Sequence, residues 1–496
     1  MGPRFAFPIQ RLYPIAILVL FACTDERIIF RDRELFAPVQ PTANGFVGYT
    51  DSTENLTVCG NCHIGQQDEW DETAHANAWQ TLASTPARQA LCEACHSVSQ
   101  RGNVATAAGG WETVKDARYQ DVQCESCHGP GLAHVQNPDA VQPLAPMRVD
   151  TGLTYGCGEC HNGVHHPFVQ EWRRSGHSVA VASPAGRAEC QQCHRGQQVL
   201  DAWNVKADYI EKNSTEHLAI TCGVCHDPHR REFQHQTRFR VDAPRIEEHL
   251  CARCHNKRAV PDSASSQGLS PHSPESELLI GEAGWFPPNS NINPGQILGT
   301  HGSQANPKLC TTCHIVKYQV TDKLTGQLLF NSTGHTFAAA ACKDAQGIPV
   351  GGDCAMTVEA RTFKGCLGSG CHGSEVGAAS ALVTATTRIR DLTDQLGALL
   401  RVVDPNMEAA GGEIDSRTPR FTVAEGAYFN WRLAQERGED NADPRMKVAA
   451  STTHNPFLME SLLRASIAEL RRAYNVRPLV RVSRGPQIRL RDQLGR

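Results

Sequence analysis

The stretch VCGNCHIGQQDEWDETAHANAW, Val58 to Trp79, sets Cys59, Cys62 and His63 in one C-x-x-C-H pentapeptide and leaves His75 alone twelve residues on. The pentapeptide is written eight times. The further copies are Cys92-Cys95-His96, Cys124-Cys127-His128, Cys157-Cys160-His161 and Cys190-Cys193-His194, then Cys222-Cys225-His226, Cys251-Cys254-His255 and Cys310-Cys313-His314. A chain with 21 Cys and 22 His would contain about 0.04 such pentapeptides by chance. Two thiols two residues apart can reach the two vinyl groups along one edge of a porphyrin, and the adjacent imidazole then lies beneath the iron. The chemistry written here is covalent attachment of haem c. Zinc sites do not place histidine at one fixed offset eight times over. A thioredoxin-like thiol pair would occur once, beside a βαβ pattern.

A ninth copy is spaced more widely. GCLGSGCHGS holds Cys366 and Cys371 with His372 next, and its glycines let the loop bulge to fit a C-x4-C-H attachment. The competing reading is a disulfide or free thiol pair beside a coincidental histidine. Eight haems c with their iron, and this ninth, use eighteen of the 21 cysteines. Cys23, Cys342 and Cys354 remain, and the last two suit a local disulfide in an exported chain.

Of the 22 histidines, nine lie in these motifs and thirteen do not. Nine irons each with one proximal imidazole need sixth ligands. The candidates are His75, His134, His177, His217, His229, His272, His301, His335 and His454, with one of His165 and His166, here taken as His166. His235 and His249 are lesser candidates. Only six methionines are present, so the set is read as bis-histidine, which generally lies at lower potential than Met/His ligation.

The elements that must position these groups are sparse. First cysteines follow steps of 33, 32, 33, 33, 32 and 29 residues, then 59 and 56, which reads as a repeat of one haem, a loop and a short helix. The wide steps run through PDSASSQGLSPHSPESE and GWFPPNSNINPG, both loop-like. Aromatics are 6% of the chain and mean hydropathy is negative, so porphyrin must take the place of much of an ordinary core. The expected fold is mainly α with extensive irregular loops, a haem-packed core, short helices and a C-terminal helical segment. In that segment Leu382, Ile389, Leu392, Leu396, Leu399 and Leu400 fall at helical spacing, and AEGAYFNWRLAQE and NPFLMESLLRASIAELRRAYNV predict two more helices. Asn455 and Pro456 suit a cap and first helical position.

Formal charge is −4, which leaves no footprint for nucleic acid. The leader MGPRFAFPIQRLYPIAILVLFAC carries Arg4 and Arg11, then an apolar run too short to span a bilayer, and ends in a lipobox-like Leu20-Phe21-Ala22-Cys23. The expectation is export to the periplasm or outer membrane as a lipoprotein anchored at Cys23, with plain secretion or an uncleaved anchor as alternatives. The expected organisation is 1–23 signal peptide and lipobox, 24–54 linker, 55–256 six or seven haem units, and 257–375 the last units with long loops. Helices at 376–475 and an Arg-rich tail at 476–496 complete it.

CESCHGPGLAHV, the Trp-Arg-Arg-Ser-Gly-His of EWRRSGH, and CGVCHDPH resemble the multihaem c-type cytochromes, notably the tetrahaem electron acceptor of hydroxylamine oxidoreductase and extracellular cytochromes of metal-reducing bacteria. THNPFLMESLLRAS preceded by AYFNWRL resembles the C-terminal helical part of octahaem oxidoreductases and nitrite reductases. The likeness covers roughly residues 55–475 and implies closely spaced haems in stacked and T-shaped pairs. The chain departs from the enzymes: it has no C-x-x-C-K attachment, and its spare histidines make an empty sixth position unnecessary. The expectation is therefore an electron carrier with no catalytic residue, exchanging electrons with partner cytochromes or oxidoreductases. The alternatives are an oxidoreductase acting on a small nitrogen or sulfur compound at one five-coordinate haem, and a self-associating conductive filament.

Overall fold

A C-x-x-C-H pentapeptide curled into a single helical turn brings its first cysteine, second cysteine and histidine to one side, because positions i, i+3 and i+4 share a helix face. The computed structural model shows such turns at Cys59–Asn61, Ala90–Cys95, Glu125–His128, Cys157–Glu159, Ala188–His194, Cys222–Cys225, Cys251–Arg253 and Cys310–His314. The turn closes with the histidine N–H donating to the carbonyl of the first cysteine: 2.9 Å in His63, His128 and His161, 2.8 Å in His226 and 3.0 Å in His255. The wider ninth motif makes a longer 3-10 turn, Lys364–Gly370. The structure describes residues 42–149, 156–163, 165–264, 268–352, 354–435 and 450–476. The leader, the lipobox at Cys23, the first part of the linker and the Arg-rich tail lie outside the described residues.

The described chain is mostly short helices and loops, as the composition predicts. Strand is confined to three small antiparallel pairs: β1 (Tyr49–Asp51) with β2 (Leu56–Thr57), β3 (Gln319–Thr321) with β4 (Leu328–Asn331), and β5 (Cys342–Lys343) with β6 (Pro349–Val350). Cys342 and Cys354 form a disulfide beside the last pair. Around the first motifs the apolar clusters are small, such as Phe46, Val98, Trp111 and Tyr119. Tyr119 ties the entry segment down, donating from its hydroxyl to the Phe46 carbonyl at 2.9 Å and accepting from the Ala43 N–H at 3.0 Å.

The large apolar core is C-terminal. Among the helices used below, α1 is Glu275–Leu279, α2 Glu375–Val403, α3 Val423–Ala434, α4 Ala450–His454 and α5 Pro456–Tyr474. The leucine stripe of α2 meets α3 and α5 through Leu396, Leu399, Leu400, Phe429, Leu433, Leu458 and Leu462, all fully buried. Each such side chain contributes about 1.5–3 kcal/mol. Caps set the helix starts: Ser374 Oγ accepts from the Gly377 N–H, Thr422 and Glu425 form a reciprocal capping box, and Asn455 Oδ1 accepts from the Leu458 N–H. Gly426 is needed where α3 passes Trp285, since a Cβ there would lie 2.2 Å from the indole. The bundle fixes α4, whose last residue is His454.

Candidate haem sites

Eight motif histidines each face a histidine from outside the motifs. Ring centroids are 6.1 Å apart for His63–His134, 6.2 Å for His161–His75, 6.1 Å for His128–His229 and 5.8 Å for His194–His272. They are 6.3 Å apart for His226–His335 and 6.2 Å for His255–His177, His314–His454 and His372–His301. Interplanar angles run from 14° for His314–His454 to 74° for His255–His177, so neither stacking nor an edge preference sets the spacing. The spacing is the one that a single shared metal atom would give. With metal–nitrogen bonds of about 2 Å and ring centres about 1.1 Å behind each nitrogen, two imidazoles on one metal stand roughly 6.2 Å apart.

The remaining motif histidine is His96. Its Nδ1 lies 2.9 Å from the Ala78 carbonyl, and among the described residues no histidine ring pairs with it at this spacing. His166 is the histidine whose protonation a charged His96 opposes; its ring lies 6.1 Å from His161 and 6.5 Å from His165. His217 behaves differently from the other candidates. It lines a cleft with Trp172, Arg173 and Glu211 and, among the described residues, pairs with no other imidazole. His235 offers its backbone carbonyl to His226 Nδ1 at 2.8 Å. His249 is fully buried, with Nδ1 accepting from the Cys251 N–H at 3.2 Å, a structural arrangement.

Burial favours the neutral form, the one that binds metal, at His75, His128, His226, His272 and His372. Burial, reinforced by neighbouring histidines, lowers His161 to about 3 and His177 to about 4, and lowers His335 to about 4. The Nδ1 atoms are oriented by main-chain carbonyls: Pro143 for His128 at 2.6 Å, Phe337 for His314 at 2.7 Å and Thr453 for His301 at 2.7 Å. That leaves Nε2 free to point at a metal.

Thiols of different motifs also meet. Cys59 lies beside Cys124, Cys95 beside Cys160, Cys157 beside Cys222, Cys193 beside Cys254 and Cys251 beside Cys310. Cys127 lies near Cys157, Cys225 near Cys251, and Cys313 near Cys366 and Cys371. None of these eighteen is in a disulfide. Burial pushes Cys127 up to about 12 and Cys225 up to about 11, keeping both as thiols. His249, Cys251 and Cys310 cluster closely enough to hold an ion, but the two cysteines are attachment thiols of adjacent motifs and cease to be thiolate ligands once alkylated.

Two buried carboxylates outside the cysteine and histidine pattern also hold main chain in place here. Glu125, inside CESCH, is completely buried and accepts from the N–H groups of Val47 at 3.0 Å, Gly48 at 2.8 Å and Gly131 at 2.7 Å; desolvation raises it to about 7. Glu171 accepts from the Thr333 and His335 N–H groups at 3.0 and 2.8 Å, which fixes the loop carrying His335. An acidic residue between the cysteines was the only sequence signal available for Glu125, and Glu171 offered none.

Residues 58–129 match the family model for cytochrome c554 and c-prime. The fold is similar to the crystal structure of the outer cell wall cytochrome OcwA, with a TM-score of 0.50, 15% identity, and coverage of 86% of this chain and 100% of that one. A sequence comparison with curated proteins finds no match. With the repeated C-x-x-C-H motif and the mostly helical and loop fold, these two likenesses make the chain similar to the multihaem c-type cytochromes.

Proposed function

We propose that the chain is an electron-transfer protein of the cell envelope that holds nine haems c, each attached at one of the nine motifs and ligated by two histidines. The observation that carries this reading is the set of eight motif–reserve histidine pairs at 5.8–6.3 Å. When bound, each haem supplies a one-electron Fe(III)/Fe(II) couple. The sixth ligands are His134, His75, His229, His272, His335, His177, His454 and His301, partnered as above. His166 is assigned to the ninth, His96, and His217 is left without an iron.

The thiol contacts support an order for the attachment sites. Numbering motifs along the chain, contacts run 1–3–4–6–7–8–9, with motif 2 joined to motif 4 and motif 5 to motif 7. The protein's part is to hold these sites adjacent, orient their imidazoles and limit their exposure, which sets spacing and potential. The leader and Cys23 support export and lipid anchoring, and the cell-wall placement carried in OcwA's name, which is that protein's, agrees with an envelope location. Redox-active cytochromes or oxidoreductases are the proposed partners.

The test is the intact mass and haem content of protein matured in a host competent for cytochrome c, with low-temperature EPR counted against iron. Nine haems, all low-spin, is the expected result; a chain without added tetrapyrrole overturns the proposal. A second reading is favoured at one site, because among the described residues no histidine ring pairs with His96 at the spacing of the other eight. If His166 does not close that iron, it takes a small exogenous ligand and the oxidoreductase alternative gains its reaction centre. One high-spin signal that cyanide removes would establish it.

A further inference from the structure

Carbonyls orient the motif histidines His96, His128, His226 and His314 through Nδ1. His255 differs. Its Nδ1–H donates to Glu275 Oε2 at 3.2 Å. Glu275 is the first residue of α1, held against the motif because the Ser276 N–H donates to the His255 carbonyl at 3.0 Å. The carboxylate thus reaches the ligand through both backbone and side chain of one short element. A carboxylate accepting from a ligating imidazole raises its basicity and stabilises the more positive metal state, whereas a carbonyl does so less.

The location adds weight. The attachment thiols of motif 7 meet those of motif 5 (Cys254 with Cys193), motif 6 (Cys251 near Cys225) and motif 8 (Cys251 with Cys310). The charge of Glu275 also reaches His272 and His454, ligands assigned to motifs 5 and 8. One carboxylate therefore stands where three routes converge.

Resting on the haem assignment above, we infer that Glu275 is a positioning residue that strengthens electron donation by His255 and so makes the haem at Cys251 and Cys254 a low-potential junction in the chain. Electrons then leave this junction toward its neighbours more readily than they collect on it. The residue touches neither a substrate nor a partner. Its effect is on the Fe(III)/Fe(II) balance at one site.

Glu275→Gln keeps an acceptor of the same shape and removes the charge. Its side chain is only partly covered, with 26% exposed, so the variant is expected to fold and to carry its full haem complement. Loss of a second-shell partner typically changes metal affinity 10–100-fold. Applied to the ferric form over the ferrous, that raises one wave in a potentiometric titration by ~60–120 mV at 59 mV per tenfold for one electron. The same variant should widen the g spread of one low-spin EPR signal. Glu277→Gln removes a nearby charge without touching a ligand and is expected to leave the EPR spectrum unchanged. Glu275→Asp, which keeps the carboxylate, should stay close to wild type in both measurements.

A fully loaded E275Q protein with an unmoved titration overturns the inference alone. So does an equal shift in E277Q or E275D. A protein that carries no haem instead overturns the proposed function.

Discussion

Removing the Glu125 carboxylate should loosen the junction between the entry segment and motif 3, and the loss should depend on pH. The side chain is 2% exposed and accepts from three main-chain N–H groups, those of Val47, Gly48 and Gly131. In Glu125→Ala those donors are left buried without an acceptor, at about 1–3 kcal/mol each before relaxation, so ~3–6 kcal/mol is expected in all. The pH dependence has a definite sign. Burial raises Glu125 from 4.5 to about 7, so between those values the folded chain holds a proton that the unfolded chain releases. Stability contributed by a raised acid is complete below its unfolded value and is lost as pH rises through the folded one. A displacement of roughly 2.5 units at 1.36 kcal/mol each amounts to about 3 kcal/mol lost between pH 4.5 and pH 7. The alanine variant lacks this slope, so its deficit against wild type should be greatest near pH 5 and shrink toward pH 8. Urea midpoints across pH 4.5–8 measure the gap, and hydrogen exchange at the Val47, Gly48 and Gly131 amides localises it. A gap that stays constant or widens with pH would refute the reasoning, as would a deficit below 1 kcal/mol at pH 5.

Three other outcomes are expected. His75→Met should raise the potential of one haem and leave the haem count unchanged, since His75 stands 6.2 Å from His161 and Met/His ligation lies higher than bis-histidine; an unaltered redox titration means His75 is not a ligand. His217→Ala should leave the low-spin EPR spectrum as it is, because that ring pairs with no motif histidine among the described residues, and a new high-spin signal would contradict this. Leu396→Ala, at the centre of the α2–α3–α5 core with no exposure, should cost about 2–5 kcal/mol by denaturant titration while sparing haem content.

The turns at the C-x-x-C-H motifs were legible in the sequence because they are local: five residues make one helical turn, and the turn alone places both thiols and the imidazole. The C-terminal helices were legible for a similar reason, since the α2 leucine stripe and the Asn455-Pro456 cap are short-range signals. The histidines proposed as sixth ligands are another matter. Their residue type narrowed the field, yet His217 has the same local character as His177 and lands in a cleft, while His75 reaches forward 86 residues to His161. Nothing within the chain neighbourhood encodes such a span. Glu275 was invisible for the same reason, being one acidic residue among many until the fold brought it to His255.

The spacing of about 32 residues suggests a unit of one motif, but the contacts repeat at a longer interval. Motif 1 touches motif 3 through Cys59 and Cys124, and motif 4 touches motif 6 through Cys157 and Cys222. Motif 2 touches motif 4 through Cys95 and Cys160, and motif 5 touches motif 7 through Cys193 and Cys254. The histidine pairs follow suit: His161 of motif 4 takes the reserve histidine that follows motif 1, and His255 of motif 7 takes one that follows motif 4. Cys59, Cys157 and Cys251 thus begin equivalent units of 98 and 94 residues. A one-motif unit cannot close, because each of the eight paired motif histidines faces a histidine from outside the stretch between its own motif and the next. Three motifs separate the two places where the same pairing recurs, at His161 and at His255, and the second such unit shares its first motif with the end of the first. Exchange of that kind makes every unit depend on its neighbours, so the unit that folds is the array, and the bundle of α2, α3 and α5 ends it by delivering His454 to motif 8.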